Sequence, residues 1–372
     1  MKRKEKSPAR IVVKVGTSSL VSDRGSLDRE KMRNLVDQLA AVKKQGKDVV
    51  LVTSGAIRAG MERLGLTERP RNMPDQQASA AVGQSLLMRT YTELFSLHGI
   101  VCAQVLVTRD DFRDRVRYLN ARNTLHTLFR FGCVPVVNEN DTVATEEIRF
   151  EENDTLSALV AACVDADLLL NLSDVDGLYD GDPQPGNARL VRQVTRITPE
   201  IESLAGATAG SYGSGGMRAK IEAAKIATNS GVTMVIARSS RPGVILDAIN
   251  GADVGTRFVS RSSGLSHRKR WIAFGSRVKG SLTINEGARK MLVEQGKSLL
   301  AVGIVGCEGS FAVGDLVSVV DESGRQVARG LVNYAADEIK RIQGKRSTEI
   351  EKILGYKDFD EVIHRDNLVL GV

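Results

Sequence analysis

The sequence predicts an α/β protein in which helices cover both faces of a mostly parallel central sheet, followed by a small β-rich domain. Short apolar runs alternate with amphipathic stretches over the first 260 of the 372 residues, an arrangement that is typical of α/β chains. Two of these runs, Val49–Val52 and Leu168–Leu170, are continuously apolar. Strands that are covered on both faces have this pattern, so we expect parallel strands between two layers of helices.

The same patterns give the order of elements in the first domain. Strands are expected at 11–15, 48–53, 101–107, 134–138, 167–172 and 232–237. Helices are expected at 28–45, 76–98, 118–131, 154–164 and 217–230. Ligands of parallel sheets bind beyond the carboxyl ends of the strands, so the residues that follow each strand are the candidates for chemistry.

The pattern changes in the last quarter of the chain. Short apolar runs at 281–284, 301–305, 316–320 and 327–332 are separated by glycines, and one amphipathic stretch lies at 286–295. These features predict a β-rich domain with one helix. The serine-rich and basic segment before it predicts a linker. We therefore expect an α/β domain over 1–260, a linker over 261–278 and a β-rich domain over 279–372.

Composition excludes several classes of protein. No apolar run approaches the ~18 residues of a membrane span, and the four cysteines have no paired spacing, which indicates reduced thiols and a cytoplasmic location. The four histidines are not in metal-ligand spacing, so we expect no zinc site. The net charge of +7 permits an acidic small molecule or a weak nucleic-acid contact.

The first strand carries a cation in its interior and ends in a turn suited to anions. Lys14 lies in the run Ile11–Val15, and Gly16-Thr17-Ser18 follows it. A buried lysine is costly unless an anionic group meets it. The turn offers backbone N–H groups and hydroxyls, which are common in phosphate sites.

A second candidate phosphate site is the glycine cluster at 210–216, which leads directly into a predicted helix with Lys220 in its first turn. Helix N-termini attract phosphate, and a cation at that end needs a nearby anion. The cluster matches neither the Walker A pattern nor G-x-G-x-x-G, and a flexible linker is the alternative. Two lysines in two such turns indicate phosphoryl transfer, which needs charge neutralisation and positioning.

Four polar turns follow other predicted strands or begin a helix. They are Ser54-Gly55, Asn138-Glu139-Asn140-Asp141, Asn153-Asp154 and Ser173-Asp174. Asp141 would hold an ammonium group, Asn153 would bind a substrate, Asp154 would orient a catalytic cation, and Ser173-Asp174 would contact a nucleotide. Each turn taken alone also fits an ordinary helix cap or Asx turn.

Taken together, these motifs resemble the amino acid kinase family. The segments that carry the resemblance are Lys14-Val-Gly-Thr-Ser, Thr53-Ser-Gly-Ala-Ile, Val137-Asn-Glu-Asn-Asp, Asn153-Asp-Thr-Leu-Ser-Ala, Ser173-Asp-Val-Asp-Gly-Leu-Tyr and Gly215-Gly-Met-Arg-Ala-Lys. Within the family, Val-Asn-Glu-Asn-Asp and the β-rich domain resemble the branch whose acceptor is glutamate. Residues 279–357 resemble a PUA domain.

The resemblance implies ATP-dependent phosphorylation of the γ-carboxylate of L-glutamate, the first step of proline biosynthesis, with ATP and Mg²⁺ required. It implies three catalytic residues, Lys14, Lys220 and Asp154, with Asp154 holding the two lysines in position. The implied glutamate-binding residues are Ser54, Gly55, Asp141 and Asn153. The implied nucleotide-binding residues are Lys14, Ser173, Asp174, Ser214, Gly215, Gly216, Met217, Arg218, Ala219 and Lys220.

Partners also follow from the resemblance. It implies proline as a feedback inhibitor, a homo-oligomer, and transfer of the labile product to glutamyl phosphate reductase. Two alternatives remain open at this point. One is another phosphotransferase of the same family, with carbamate or a nucleoside monophosphate as acceptor. The other is an RNA-binding protein that acts through the PUA-like domain.

Overall fold

The computed structural model describes residues 8–22, 26–144, 153–181, 188–207, 214–260 and 278–371. The chain divides into two compact units. The first contains residues 1–111 and 119–264, and the second contains residues 112–118 and 265–372. The predicted linker falls almost entirely within 261–277, outside the described residues.

Among the described residues of the first unit, eight strands form one sheet. They are β1 (Arg10–Val15), β2 (Asp48–Val52), β3 (Cys102–Val107), β4 (Val134–Glu139), β5 (Leu168–Ser173), β6 (Gln193–Val194), β7 (Thr233–Arg238) and β8 (Thr256–Phe258). Their order is β3-β4-β2-β1-β5-β7-β8-β6. All neighbouring pairs are parallel except β7 and β8, which confirms the mostly parallel sheet.

The helices of the same part of the chain fall where the sequence places them, with additions. They are α1 (Arg29–Lys44), α2 (Ala56–Arg63), α3 (Met73–Ser96), α4 (Arg109–Arg113), α5 (Arg115–Arg130), α6 (Asn153–Cys163), α7 (Pro199–Ala207), α8 (Ser214–Asn229) and α9 (Val244–Ile249). The sequence reasoning missed α2, α4, α7 and α9, which have between five and nine residues and are too short to show clear periodicity.

One prediction about α8 was wrong. The helix begins at Ser214 rather than at 217, so Lys220 lies in its second turn and not in its first. The sequence predicted a helix start after Gly215 and Gly216, because glycine is unfavourable in a helix interior. The first turn has fewer intrahelical hydrogen bonds to lose, and it accommodates Gly215 and Gly216.

Two glycines bring α2 and α3 into backbone contact. A Cβ atom on Gly60 would lie 1.7 Å from the carbonyl oxygen of Ser79, and one on Gly83 would lie 1.8 Å from that of Ala56. Only glycine permits this approach, because any side chain at either position would overlap backbone atoms. The contact fixes the start of α2, and hence the Ser54-Gly55 turn before it.

The second unit contains a separate five-stranded sheet. Its strands are β9 (Gly280–Ile284), β10 (Ile304–Gly309), β11 (Leu316–Asp321), β12 (Gln326–Leu331) and β13 (Leu368–Leu370), in the order β10-β9-β11-β12-β13. The helices in the described part of this unit are α10 (Glu286–Gln295), α11 (Ala336–Ile342) and α12 (Ile350–Leu354). The prediction of one helix was therefore wrong: α11 and α12 are short, and their apolar residues Ile339, Ile342 and Ile350 join a common core with the sheet.

The strand predicted at 301–305 was also misplaced. Residues Ala301–Gly303 form a 3₁₀ turn, and the strand begins at Ile304. An apolar run does not distinguish a buried turn from a strand, and here Ala301 and Gly303 are buried while Val302 is exposed.

Candidate active site

A cleft of about 830 Å³ lies at the carboxyl ends of β1, β2, β4 and β5. Nine of the residues predicted from the sequence line it: Lys14, Ser54, Gly55, Asp141, Asn153, Ser173, Asp174, Gly216 and Lys220. Four parallel strands deliver their end residues to one edge of the sheet, which explains why turns far apart in the sequence converge. Arg58 and Arg69 also line the cleft and add positive charge that the sequence reasoning missed.

One carboxylate joins the two predicted catalytic lysines. Lys14 Nζ lies 2.5 Å from Asp154 Oδ1, and Lys220 Nζ lies 3.2 Å from Asp154 Oδ2. Asp154 is fully buried, and the lysines are only 4% and 7% exposed. Two buried ammonium groups therefore share one carboxylate at the base of the cleft. Buried cations are stabilised by an anionic partner, so an anionic ligand suits this part of the cleft.

Local structure explains the position of Asp154. It is in the first turn of α6, where a carboxylate is stabilised by the helix dipole. Ser157 Oγ donates to its carbonyl oxygen at 2.6 Å. The rest of the helix from Leu156 to Cys163 is buried, so the apolar packing of α6 holds the carboxylate beneath the cleft.

Asn171 is a further contact of this carboxylate. It lies in β5, is fully buried, and donates from Nδ2 to Asp154 Oδ1 at 2.8 Å. The sequence reasoning missed it. A usable signal was present, because an amide interrupts the apolar run Leu168-Leu169-Leu170-Asn171-Leu172, and a buried polar side chain requires a partner.

A chain of amides and hydroxyls forms another wall of the cleft. Asn153 Nδ2 donates to Thr53 O at 2.5 Å, to Ser54 Oγ at 3.1 Å and to Asn138 Oδ1 at 2.8 Å. Below it, Thr53 Oγ1 is 2.8 Å from the hydroxyl of Tyr91. Burial raises the pKa of that tyrosine well above its usual value, so the hydroxyl stays protonated and available for this bond.

The turn after β2 gives backbone access to the cleft. Gly55 has a φ of +97°, a left-handed conformation that side chains disfavour. It precedes α2, so its turn and the first N–H groups of that helix border the cleft beside Ser54. Asp141, in the turn after β4, also lines the cleft and is partly exposed.

The remaining predicted nucleotide contacts fall at β5 and α8. Ser173 Oγ donates to Asp174 Oδ1 at 3.0 Å, and both residues line the cleft. In α8 the described cleft lining includes Gly216 and Lys220 but not Met217, Arg218 or Ala219. Ser214 and Gly215 begin the helix, and the part of the glycine cluster at 210–213 lies outside the described residues. The nucleotide roles of these residues stay predictions.

An ion pair braces the segment that follows Asp174. Arg238 donates from Nε and Nη2 to Asp176 at 2.8 and 3.0 Å, and this contact holds the pKa of the Asp176 carboxyl below its usual range. Two residues on, Leu178 N donates to Thr256 Oγ1 at 2.8 Å. The loop after β5 is thereby tied to β7 and β8.

Comparison with known proteins assigns this arrangement. The sequence profile of the amino acid kinase family matches residues 9–238, which spans β1 to β7 and every residue of the cleft described above. The chain belongs to the amino acid kinase family. The profile of the PUA domain matches residues 280–354, within the second sheet and its helices. This amino acid kinase therefore carries a PUA domain, and it is an enzyme of the kinase class.

Curated relatives of this amino acid kinase match it over nearly its whole length. The glutamate 5-kinase of Caldanaerobacter subterraneus subsp. tengcongensis is 52% identical over 362 residues, 97% of this chain and 97% of the relative. The glutamate 5-kinase of Moorella thermoacetica is 50% identical over 362 residues, 97% of this chain and 96% of the relative. Among solved structures, the carbamate kinase of Giardia lamblia bound to AMP-PNP has a TM-score of 0.51 at 17% identity, covering 68% of this chain and 99% of its own. That likeness concerns the fold.

Among the described residues, no helix combines the length and apolar character needed to cross a membrane. The same residues contain no group of three or more His, Cys, Asp or Glu side chains placed to hold a metal ion.

Proposed function

We propose that this amino acid kinase transfers the γ-phosphoryl group of ATP to the γ-carboxylate of L-glutamate. The product would be L-glutamyl 5-phosphate, and the reaction the first step of proline biosynthesis. The observation that carries the proposal is the buried Lys14–Asp154–Lys220 arrangement beside the amide-lined wall of the cleft. The glutamate 5-kinases that match over nearly the whole chain support the choice of acceptor.

The reaction needs no general base. A glutamate carboxylate is ionised near pH 7, since its usual pKa is about 4.3, so its oxygen attacks phosphorus directly. The main barrier is electrostatic, because the anionic carboxylate must approach the anionic γ-phosphoryl group of ATP. Lys14 and Lys220 supply positive charge on the transferring phosphoryl group, and this charge matters most when negative charge spreads over its oxygens in the transition state.

Asp154 acts through the lysines. Its two oxygens contact different lysines, so it fixes the separation and direction of both ammonium groups before substrate binds. A carboxylate that is fully engaged in this way is not offered to a metal ion. Mg²⁺ is bound in many kinases largely by nucleotide phosphates, and we expect it to enter with ATP and to supply further charge neutralisation.

ATP and glutamate would bind to different sets of polar residues in the cleft. Ser173, Asp174 and the start of α8 would bind the nucleotide, with the N-terminus of α8 near its phosphates. Ser54, Gly55, Asp141 and Asn153 would bind glutamate, and the carboxylate of Asp141 would hold its ammonium group. Inhibition by proline, a homo-oligomeric state, transfer to glutamyl phosphate reductase and RNA binding by residues 279–372 remain proposals from family resemblance.

The test is an assay with ATP, Mg²⁺, glutamate and hydroxylamine that follows γ-glutamyl hydroxamate. Hydroxylamine traps acyl phosphates, so hydroxamate formed with glutamate and not with aspartate or acetylglutamate would support both product and acceptor. A folded protein that forms none would refute the proposal. Screening carbamate, UMP and aspartate by ADP release would then identify the acceptor of a sister kinase.

A further inference from the structure

Gln84 is connected to the substrate side of the cleft although it does not line it. It lies in α3, and its Oε1 accepts a hydrogen bond from Asn138 Nδ2 at 2.9 Å. Asn138 Oδ1 in turn accepts from Asn153 Nδ2 at 2.8 Å. Asn153 and Asn138 line the cleft, so the amide relay, defined as Gln84–Asn138–Asn153, runs from helix α3 to the ligand space.

The direction of every bond in the amide relay is fixed by one backbone atom. Asn153 contacts the carbonyl oxygen of Thr53 at 2.5 Å, and a carbonyl only accepts, so the contacting atom of Asn153 must be Nδ2. The same nitrogen faces Asn138, which must therefore present Oδ1. Asn138 then directs Nδ2 toward Gln84, and Gln84 must present an acceptor.

This polarity determines what Asn153 can offer a ligand. Its Nδ2 has two hydrogens and three protein acceptors, so both hydrogens are already used. Its Oδ1 has no hydrogen-bond partner within the described part of the chain. The group of a substrate that meets Asn153 must consequently be a donor. An ammonium group satisfies this requirement, and Asp141 on the same cleft adds the opposite charge.

Gln84 is the end of the amide relay and holds its middle member. Asn138 is 2% exposed, so water does not readily replace the acceptor that Gln84 provides. Without that acceptor the buried amide of Asn138 would lose its partner and would reorient, and Asn153 would lose one of the contacts that fix its plane.

We propose that Gln84 is a positioning residue for substrate selection: its Oε1 holds the amide relay so that Asn153 presents a carbonyl oxygen, which selects an acceptor substrate with a free ammonium group. The inference rests on the proposed function, because it concerns the amino group of that substrate. It assigns a role to a residue in the middle of α3 that no sequence motif singled out.

The test compares Gln84→Met, which removes the acceptor at similar size, with Gln84→Glu, which keeps an oxygen acceptor. Gln38→Met is the matched control, since Gln38 is a partly buried helical glutamine whose Oε1 accepts from Ile245 N, in contact with α9 rather than the cleft. For each protein, kcat and KM are measured with glutamate and with glutarate, which has both carboxylates but no ammonium group.

We expect Gln84→Met to raise the KM for glutamate about tenfold and to change kcat by less than about twofold, because the lost interaction stabilises the bound substrate and the transition state equally. The preference for glutamate over glutarate in kcat/KM should fall by a similar factor. Gln84→Glu should retain most of that preference, and Gln38→Met should match the wild type.

Three results would overturn the inference: an unchanged preference in Gln84→Met, an equal loss in Gln84→Met and Gln84→Glu, or a fall in kcat alone. If Gln84→Met does not fold, Gln84→Ala makes the same comparison with the same expected loss. Failure of the proposed function is distinct, because it appears as absence of hydroxamate in the wild type. The kinetic comparison of the Gln84 variants would then be repeated with the true acceptor and with its analogue that lacks the amino group.

Discussion

Lys14 and Asn171 are register partners in the parallel strands β1 and β5, and both contact the same carboxylate oxygen of Asp154. Side chains that are paired across parallel strands project from the same face of the sheet. The central strands thus place a cation and a neutral amide side by side under α6. The amide fixes the carboxylate without adding charge, which leaves Lys220 to contact the other oxygen.

Substitution of Lys220 tests the proposed charge neutralisation. Lys220→Ala should lower kcat by about a hundredfold or more, with a smaller effect on the KM for glutamate, because its charge matters most in the transition state. Lys225→Ala is the control on the same helix, since Lys225 pairs with Glu202 and Glu222 instead. A raised KM with unchanged kcat would contradict the assignment.

Asp141 is expected to act on glutamate affinity. Asp141→Ala should raise the KM for glutamate by about tenfold to a hundredfold, as expected for loss of a charge-assisted hydrogen bond, with a lesser change in kcat. Steady-state kinetics check this, and Thr142→Ala serves as a neighbouring control because its exposed hydroxyl bonds within the turn to Asn140. The assignment fails if kcat falls while KM stays constant.

Substitution of Asn171 should lower the catalytic rate without a comparable loss of stability. Asn171→Leu replaces a buried amide, whose Oδ1 has no hydrogen-bond partner among the described residues, by an apolar side chain of similar size. Removal of that unsatisfied oxygen offsets the loss of the donor to Asp154, so the thermal midpoint should change little. The kcat should fall about tenfold, the equivalent of one hydrogen bond of about 1.4 kcal/mol, because Asp154 loses a contact that fixes its plane. An unchanged kcat in a folded Asn171→Leu protein would remove Asn171 from the catalytic arrangement.

The contact between α2 and α3 should be sensitive to a single methyl group. Gly83→Ala would place Cβ on the carbonyl oxygen of Ala56 and should destabilise the protein by about 3 kcal/mol or more, at the upper end of overpacking effects. Chemical denaturation measures this. Ser85→Ala, at an exposed position of the same helix, should be nearly neutral. Equal stability of the two variants would refute the close approach.

The Asp176–Arg238 ion pair should make the stability of the folded protein decrease at low pH. The pKa of Asp176 is lowered in the folded protein, so its contribution to stability is present above its unfolded pKa of about 3.9 and is lost as pH falls through the folded value. Both side chains are more than 40% exposed, so the effect should be small and reduced by salt. Asp176→Asn should cost stability at pH 7, and this difference should vanish in acid. A difference that persists in acid would assign the cost to packing.

The sequence determined the parts of this protein that depend on short segments. Apolar runs identified the central strands. The polar turns, the lysine within β1 and the glycine cluster that leads into α8 identified nine cleft residues as well as Asp154. This succeeded because a buried parallel strand has a distinctive local pattern and because parallel topology gathers strand ends at one edge.

Only the tertiary structure decided which side chains meet. The family resemblance implied that Asp154 holds Lys14 and Lys220, but nothing in the sequence indicated that Gln84 reaches Asn138 across 54 residues or that the crossing of two helices requires Gly60 and Gly83. No local sequence pattern indicates such pairs, because periodicity predicts which face of a helix or strand is buried but not which residues that face contacts. Asn171 and Gln84 were therefore missed: a buried amide takes its function from the partner that satisfies it, and that partner is set by the packing of the whole unit.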